Sequence, residues 1–165
     1  MSLYQNPFPE SDADRRAIWE MLVARDIEAF VQQDWNRVAG DFIADFFLAI
    51  DASRSIHPDN WHLSFPTLAH YRDSWVQGAV DSAKRNSQDS LREQVYAATT
   101  LTHIEIAGDL ALAHKKFDGE IITDDGEHIR LLWQTVYQCR KMDGIWKMAG
   151  FVGYLPADAQ IAALK

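Results

Sequence analysis

Cysteine is almost missing from this chain of 165 residues. Cys139 stands alone, so no internal disulfide can form, and a reducing, cytoplasmic setting is expected. No run of about 18 apolar residues occurs, so no membrane-crossing helix is expected. Met1 to Pro9 carries neither a basic region nor an apolar stretch, and no signal peptide is expected there. Bases are the minority charge: 16 Lys and Arg stand against 24 Asp and Glu, a formal net of −8. That balance argues against nucleic acid and against an anionic membrane as partner, since both are bound through clustered Lys and Arg. The Gly-rich phosphate loop, the Gly-x-Ser-x-Gly elbow and the His-Glu-x-x-His helix are all absent. Repeats, low-complexity runs and linkers are absent too. One domain is therefore expected over residues 11–165, behind an extended tail at 1–10 that holds Pro7 and Pro9.

What the chain has in surplus is aromatic: six Trp, five Tyr and eight Phe. A chain of this length buries enough apolar surface to hold a core without metals or disulfides. The acids gather at the front, where residues 1–60 hold 11 acids and 5 bases. The rest of the chain is nearly neutral.

The hydrophobic spacing gives an element order. Ser11 and Asp14 read as a helix start. Ile18, Trp19, Leu22, Val23, Ile27 and Phe30 then recur at helical spacing over residues 12–33. Val38 to Ile50 reads as a second helical stretch, with Phe42, Phe46 and Phe47. Ala52 to Phe65 is irregular and contains Pro58. Pro66 suits the first turn of a third helix, with Leu68, Tyr71, Trp75 and Val76, that fades by Arg85. Residues 86–90 read as a polar loop. Val95 to Ala107, Leu110 to Ile122, Glu127 to Arg140 and Ile145 to Tyr154 read as strands. Gly108-Asp109, Thr123 to Gly126 and Asp143-Gly144 supply the turns. Helices first and an antiparallel meander after them predict an α+β fold in one domain, with three helices packed in a curved, mostly antiparallel sheet.

Two segments extend this reading. Ala29-Phe30-x-x-x-Asp34-Trp35-Asn36-Arg37 closes the first helix, and Arg140-Lys141-Met142-Asp143-Gly144-Ile145-Trp146-Lys147-Met148-Ala149-Gly150 forms the last hairpin. With the element order, they resemble the nuclear-transport-factor-2-like superfamily, which includes SnoaL-like cyclases, ketosteroid isomerases and scytalone dehydratases. The resemblance implies a cone-shaped, cystatin-like α+β barrel with a pocket at its open end. It also implies a homodimer formed through the outer face of the sheet. The last hairpin is most similar to scytalone dehydratase, but that family's catalytic positions fall on Phe30, Val31, near Ala52, on Val95 or Tyr96, and near Glu120. Phe30 and Val31 cannot move a proton, so dehydratase chemistry is rejected. Ketosteroid isomerase positions fall on Asp26, on Ile50 or Asp51, and near Tyr137. Acid–base chemistry of another kind is left open.

Asp26 leads the candidates because it lies among Trp19, Leu22, Val23 and Phe30 on an apolar helix face. A carboxylate there must be paired, hydrogen-bonded or protonated. It is either a pocket acid or half of a structural ion pair, for instance with Arg130. Asp51 is either a base at the pocket rim or a turn cap. His62 is a candidate acid, and Tyr137 or Tyr96 a donor to a substrate oxygen. Trp133, Thr135 and Tyr137 share one strand face, which the resemblance places toward the cavity; a dimer face is the alternative. Trp19, Phe30, Trp61, Trp75, Tyr96, Trp133 and Thr135 are the expected ligand contacts. His57 and His62 alone make no metal site, because three or four converging ligands are needed. Neither metal nor cofactor is expected. Trp146 reads as core and Cys139 as a packed thiol. The function expected is a pocket for a small apolar or ring-containing molecule, with lyase, isomerase, cyclase or hydrolase chemistry. The alternatives are a ligand-binding domain without chemistry and a structural dimerisation domain.

Overall fold

Asp12 opens the first helix, one residue after the expected cap: its carboxylate accepts the Arg15 amide at 3.3 Å. The computed structural model describes residues 4–164, so residues 1–3 of the expected tail and residue 165 lie outside the described residues. Within the described tail, Asn6 donates to the Arg16 carbonyl at 3.1 Å and Arg16 donates to the Phe8 carbonyl at 2.7 Å. The tail is thus tied back onto the helix. Three consecutive pieces make that helix: α1 (Ala13–Trp19), a π-helical turn (Glu20–Arg25) and α2 (Asp26–Val31). Its buried residues are Ile18, Trp19, Met21, Leu22, Val23, Ile27, Ala29 and Val31, which contain most of the periodicity read from the sequence.

The expected second helix does not form. Residues 35–41 make two 3-10 turns, Phe42 bridges to Met148, and β1 (Leu48–Asp51) joins the sheet. β1 runs parallel to β6 (Ile145–Leu155), pairing Leu48 with Gly150 and Asp51 with Gly153. Gly150 makes this possible, because a Cβ there would sit 2.2 Å from the Leu48 carbonyl oxygen. Strand pairing over a bare glycine thus overrides a helical spacing of phenylalanines. β2 (His62–Phe65) returns antiparallel along β1, inside the stretch read as irregular.

Thr67 caps α3 (Leu68–Arg85), whose end falls where expected. The loop at 86–90 and the strand start at Val95 are instead α4 (Gln88–Ala98), capped by Ser87. Leu91, Val95 and Ala98 fall on one helical face, and strand backbone begins only at Thr99. Three long helices still precede the meander, as expected, but the third is α4.

The meander is close to its reading: β3 (Thr99–Ala107), β4 (Leu110–Ile122), β5 (His128–Met142) and β6. Asp143 and Gly144 both take positive φ in the last hairpin, the geometry an Asp-Gly turn allows. The sheet order is β2-β1-β6-β5-β4-β3, and among the described strands β1 and β6 are the one parallel pair. Bulges in β5 near Gln134 and Gln138 bend the strand, so the sheet curves around the first helix. A short α5 (Asp158–Ala162) follows. Trp146 is buried, and its ring N–H donates to Asp14 at 2.9 Å, fixing the last hairpin to the start of the first helix. Lys141 donates to the same carboxylate at 2.8 Å.

If β1 depends on the bare backbone at Gly150, Gly150→Ala should lower stability by at least about 2 kcal/mol in urea unfolding, the scale of overpacking. A variant as stable as the parent would refute this account of β1.

Candidate functional site

The π-helical turn puts the first helix out of regular hydrogen-bond register beside the sheet. The Asp26 amide, which would donate to Leu22 in an α-helix, donates to the Val23 carbonyl instead. The Leu22 carbonyl accepts the Lys115 ammonium at 2.5 Å. Lys115 comes from the middle of β4, and its side chain keeps only 2% of its surface exposed. The same ammonium donates to Asp26 Oδ2 at 3.1 Å. Trp75 of α3 donates its ring N–H to Asp26 Oδ1 at 3.2 Å. Helix, sheet and α3 therefore meet on one carboxylate. The Asp26 side chain stays 30% exposed, so it can be reached. Its cation is Lys115 and not Arg130, which pairs with Asp118 at 2.6 Å.

Aromatic rings surround this pair. The ammonium lies 5.2 Å from the Phe117 ring centre and 5.9 Å from that of Tyr137. Phe117 stacks on Trp133 across β4 and β5 at 4.6 Å. Tyr71 of α3 packs against Trp35, Phe42, Phe47, Phe65 and Phe151. Burial pushes the Tyr71 and Tyr137 phenols well above their usual range, and the Asp26 charge raises both further. Thr135 and Tyr137 are buried on this concave side of the sheet.

The structure brings together Asp26, Trp75, Phe30 and Tyr137 from the residues singled out in the sequence. Phe30 meets Trp75 edge-on at 5.4 Å. Trp133 and Thr135 join them on the same concave side of the sheet, and the remaining candidates lie elsewhere. Asp51 caps a turn, accepting the Ser53 amide at 2.7 Å. His62 is exposed on β2. Trp61 pins its own loop through a 2.9 Å bond to the Ser55 carbonyl. Trp19 is core. Tyr96 belongs to α4 rather than a strand, and its hydroxyl donates to the Ala24 carbonyl at 3.4 Å. His103 and His114 face each other at 5.0 Å across β3 and β4, on the convex face. Among the described residues no three His, Cys, Asp or Glu side chains gather as a metal site. Among them also no helix is long and apolar enough to cross a membrane.

Lys115 is the residue the sequence reading missed. Its signal was strand parity: Ala111, Ala113, Lys115, Phe117, Gly119 and Ile121 share the concave face of β4, and Lys115 alone among them is charged.

Comparison with known proteins places the fold. No family model matches the chain, and no curated protein matches it. Solved structures do. A conserved protein from Planctomyces limnophilus aligns with a TM-score of 0.56 at 14% identity, over 85% of this chain and 94% of that one. An NTF2-like protein of unknown function from Shewanella baltica gives 0.54 at 16%, over 88% and 96%. An NTF2-like protein with a cystatin-like fold from Novosphingobium aromaticivorans gives 0.55 at 13%, over 93% and 90%. The chain thus has the nuclear-transport-factor-2-like, cystatin-like fold. At these identities the likeness speaks for fold alone.

The buried phenols give a pH prediction. Tyr96 is pushed up to about 12, chiefly by burial, and the Cys139 thiol, also by burial, to about 12. A folded pKa above the unfolded one adds stability below the unfolded value, and that stability is lost as pH rises toward the folded value. Stability should therefore fall between about pH 9 and 12. Phenolate absorbance of Tyr71, Tyr96 and Tyr137 should appear only as the fold melts. Their titration near pH 10 in folded protein would contradict the packing described.

Proposed function

We propose that the concave site binds a small ring-containing molecule and that Asp26 and Lys115 act on an oxygen, or on a proton beside it. The observation that carries this reading is the pairing of a nearly inaccessible ammonium with a reachable carboxylate, inside a wall of rings. Two of the three Lys115 N–H donors are taken, by Leu22 and Asp26. The third has no oxygen partner among the described residues, and a ligand oxygen that enters beside Asp26 would accept it. Asp26 would take or return the proton, and the ammonium would stabilise charge developing on the oxygen. Phe117, Trp133 and Tyr137 would hold the ring body, which suits a site of few polar groups and much apolar surface. Isomerase, lyase, cyclase and hydrolase steps all use these parts.

A second reading is favoured by a separate observation. The convex face exposes Leu110 and Leu112 beside a groove of about 400 Å³ that Ala107, Gln138, Arg140 and Ala149 also line. Exposed leucines on a sheet face suit a second copy of this chain. That dimer is compatible with the first reading, and it stands alone if the concave site takes no ligand.

A thermal-shift panel of naphthalene, 2-naphthol and 2-tetralone tests the site. A ligand at ten times its dissociation constant adds about 1.4 kcal/mol, so an oxygenated bicycle should raise Tm by roughly 3–5 °C. No shift across the panel would remove the pocket reading. Light scattering on the parent and on Leu112→Glu would then decide for or against a purely structural dimer.

A further inference from the structure

Three of the five non-glycine residues that take positive φ among the described residues lie around one arginine. Ser53 and Arg54 are consecutive non-glycine residues with φ of 51° and 55°, and Tyr154, across from them, has φ of 52°. Left-handed residues of this kind persist only where the surroundings hold them, and they cluster at binding sites. Here the hold is explicit. The Ser53 amide donates to the Asp51 carboxylate at 2.7 Å, the Arg54 amide to the Tyr154 carbonyl at 2.7 Å, and the Ala52 amide to the Gly153 carbonyl at 2.9 Å.

The result is the placement of the Arg54 guanidinium 5.7 Å from the Trp133 ring centre. Arg54 is exposed and makes no ion pair or side-chain hydrogen bond among the described residues. Asp51, the acid nearest in sequence, spends one carboxylate oxygen on the Ser53 amide. A guanidinium laid over an aromatic ring with its donors unused is a fork waiting for an anion.

The position of Trp133 connects this fork to the site. Trp133 lies 5.2 Å from Tyr154 and 4.6 Å from Phe117, and Phe117 lies 5.2 Å from the Lys115 ammonium. One wall of rings thus runs from a buried cation to an exposed one. We propose that the ligand of the concave site is a ring-containing carboxylate, its carboxylate held by Arg54 and its ring along Phe117 and Trp133, with a further oxygen reaching toward Lys115. This rests on the reading of the concave site as a ring-binding pocket. A single planar fork matches a single carboxylate. A dianionic phosphate would call for additional cations or a cradle of backbone amides, and the surrounding protein is acidic overall.

The test uses 2-naphthoate and its methyl ester on the intact protein, followed by tryptophan fluorescence and calorimetry. The parent should bind the acid more tightly than the ester. Arg54→Gln should weaken the acid by about tenfold or more and change the ester by less than about twofold, the scale of a lost charge-assisted hydrogen bond. Arg54→Lys, which keeps the charge without the fork, should fall between. Arg54 is exposed, and circular dichroism of each variant checks that the fold is kept. If acid and ester bind alike, or Arg54→Gln leaves the acid unchanged, the carboxylate inference fails while the ring pocket stands. If neither compound binds the parent, the ring pocket falls and the inference falls with it.

Discussion

A lysine ammonium shut inside a protein must find partners there, because an uncompensated buried charge costs several kcal/mol. Lys115 meets this constraint with two oxygens, the Leu22 carbonyl and the Asp26 carboxylate. Both come from the first helix, and the carbonyl belongs to its π-helical turn. The widened turn and the buried lysine therefore belong together. A regular α-helix would offer the Leu22 carbonyl to the Asp26 amide. Irregular helix turns of this type are frequent where a site is built. Trp75 brings α3 onto the same carboxylate. One ion pair thus ties together the helix, the sheet and the covering helix.

Around that pair the fold is assembled by close approach. Gly150 lets β1 lie parallel to β6, and Gly119 lets α4 come onto β4, where a Cβ would stand 2.6 Å from that of Ala98. The phenylalanines carried on the β1 approach then pack on Tyr71. A second set of rings, Phe117 to Trp133 to Tyr154, stays partly exposed. The aromatic surplus has two settings: one packed into core, the other a wall that an exposed arginine overlies.

Much of this was legible in the sequence. The last three strands of the meander could be read to within two residues, because period-two alternation and Asp-Gly turns are local signals. The apolar stripe of the first helix and the misplaced Asp26 were readable for the same reason. The segment Val38–Ile50 was not, since its fate depends on a glycine a hundred positions further along. α4 was missed because Val95, Tyr96 and the threonines after them look like strand while the cap at Ser87 makes helix. Arg130 lies on a neighbouring strand of the same sheet as Lys115 and pairs with Asp118. Strand parity would have preferred Lys115, since Arg130 sits on the other face of β5. Arg54 gave no sequence signal, because its placement comes from backbone angles that only the folded chain fixes.

A double-mutant cycle on Asp26 and Lys115 tests the central claim most directly, read by urea unfolding of the parent, Asp26→Asn, Lys115→Met and the pair. Asp26→Asn alone should destabilise by about 3 kcal/mol, since it leaves a buried ammonium short of its charge partner. In the Lys115→Met background the same change should cost less than about 1 kcal/mol, a coupling well beyond additivity. Equal costs in both backgrounds would show that the two side chains do not depend on each other, and would contradict the account of the site.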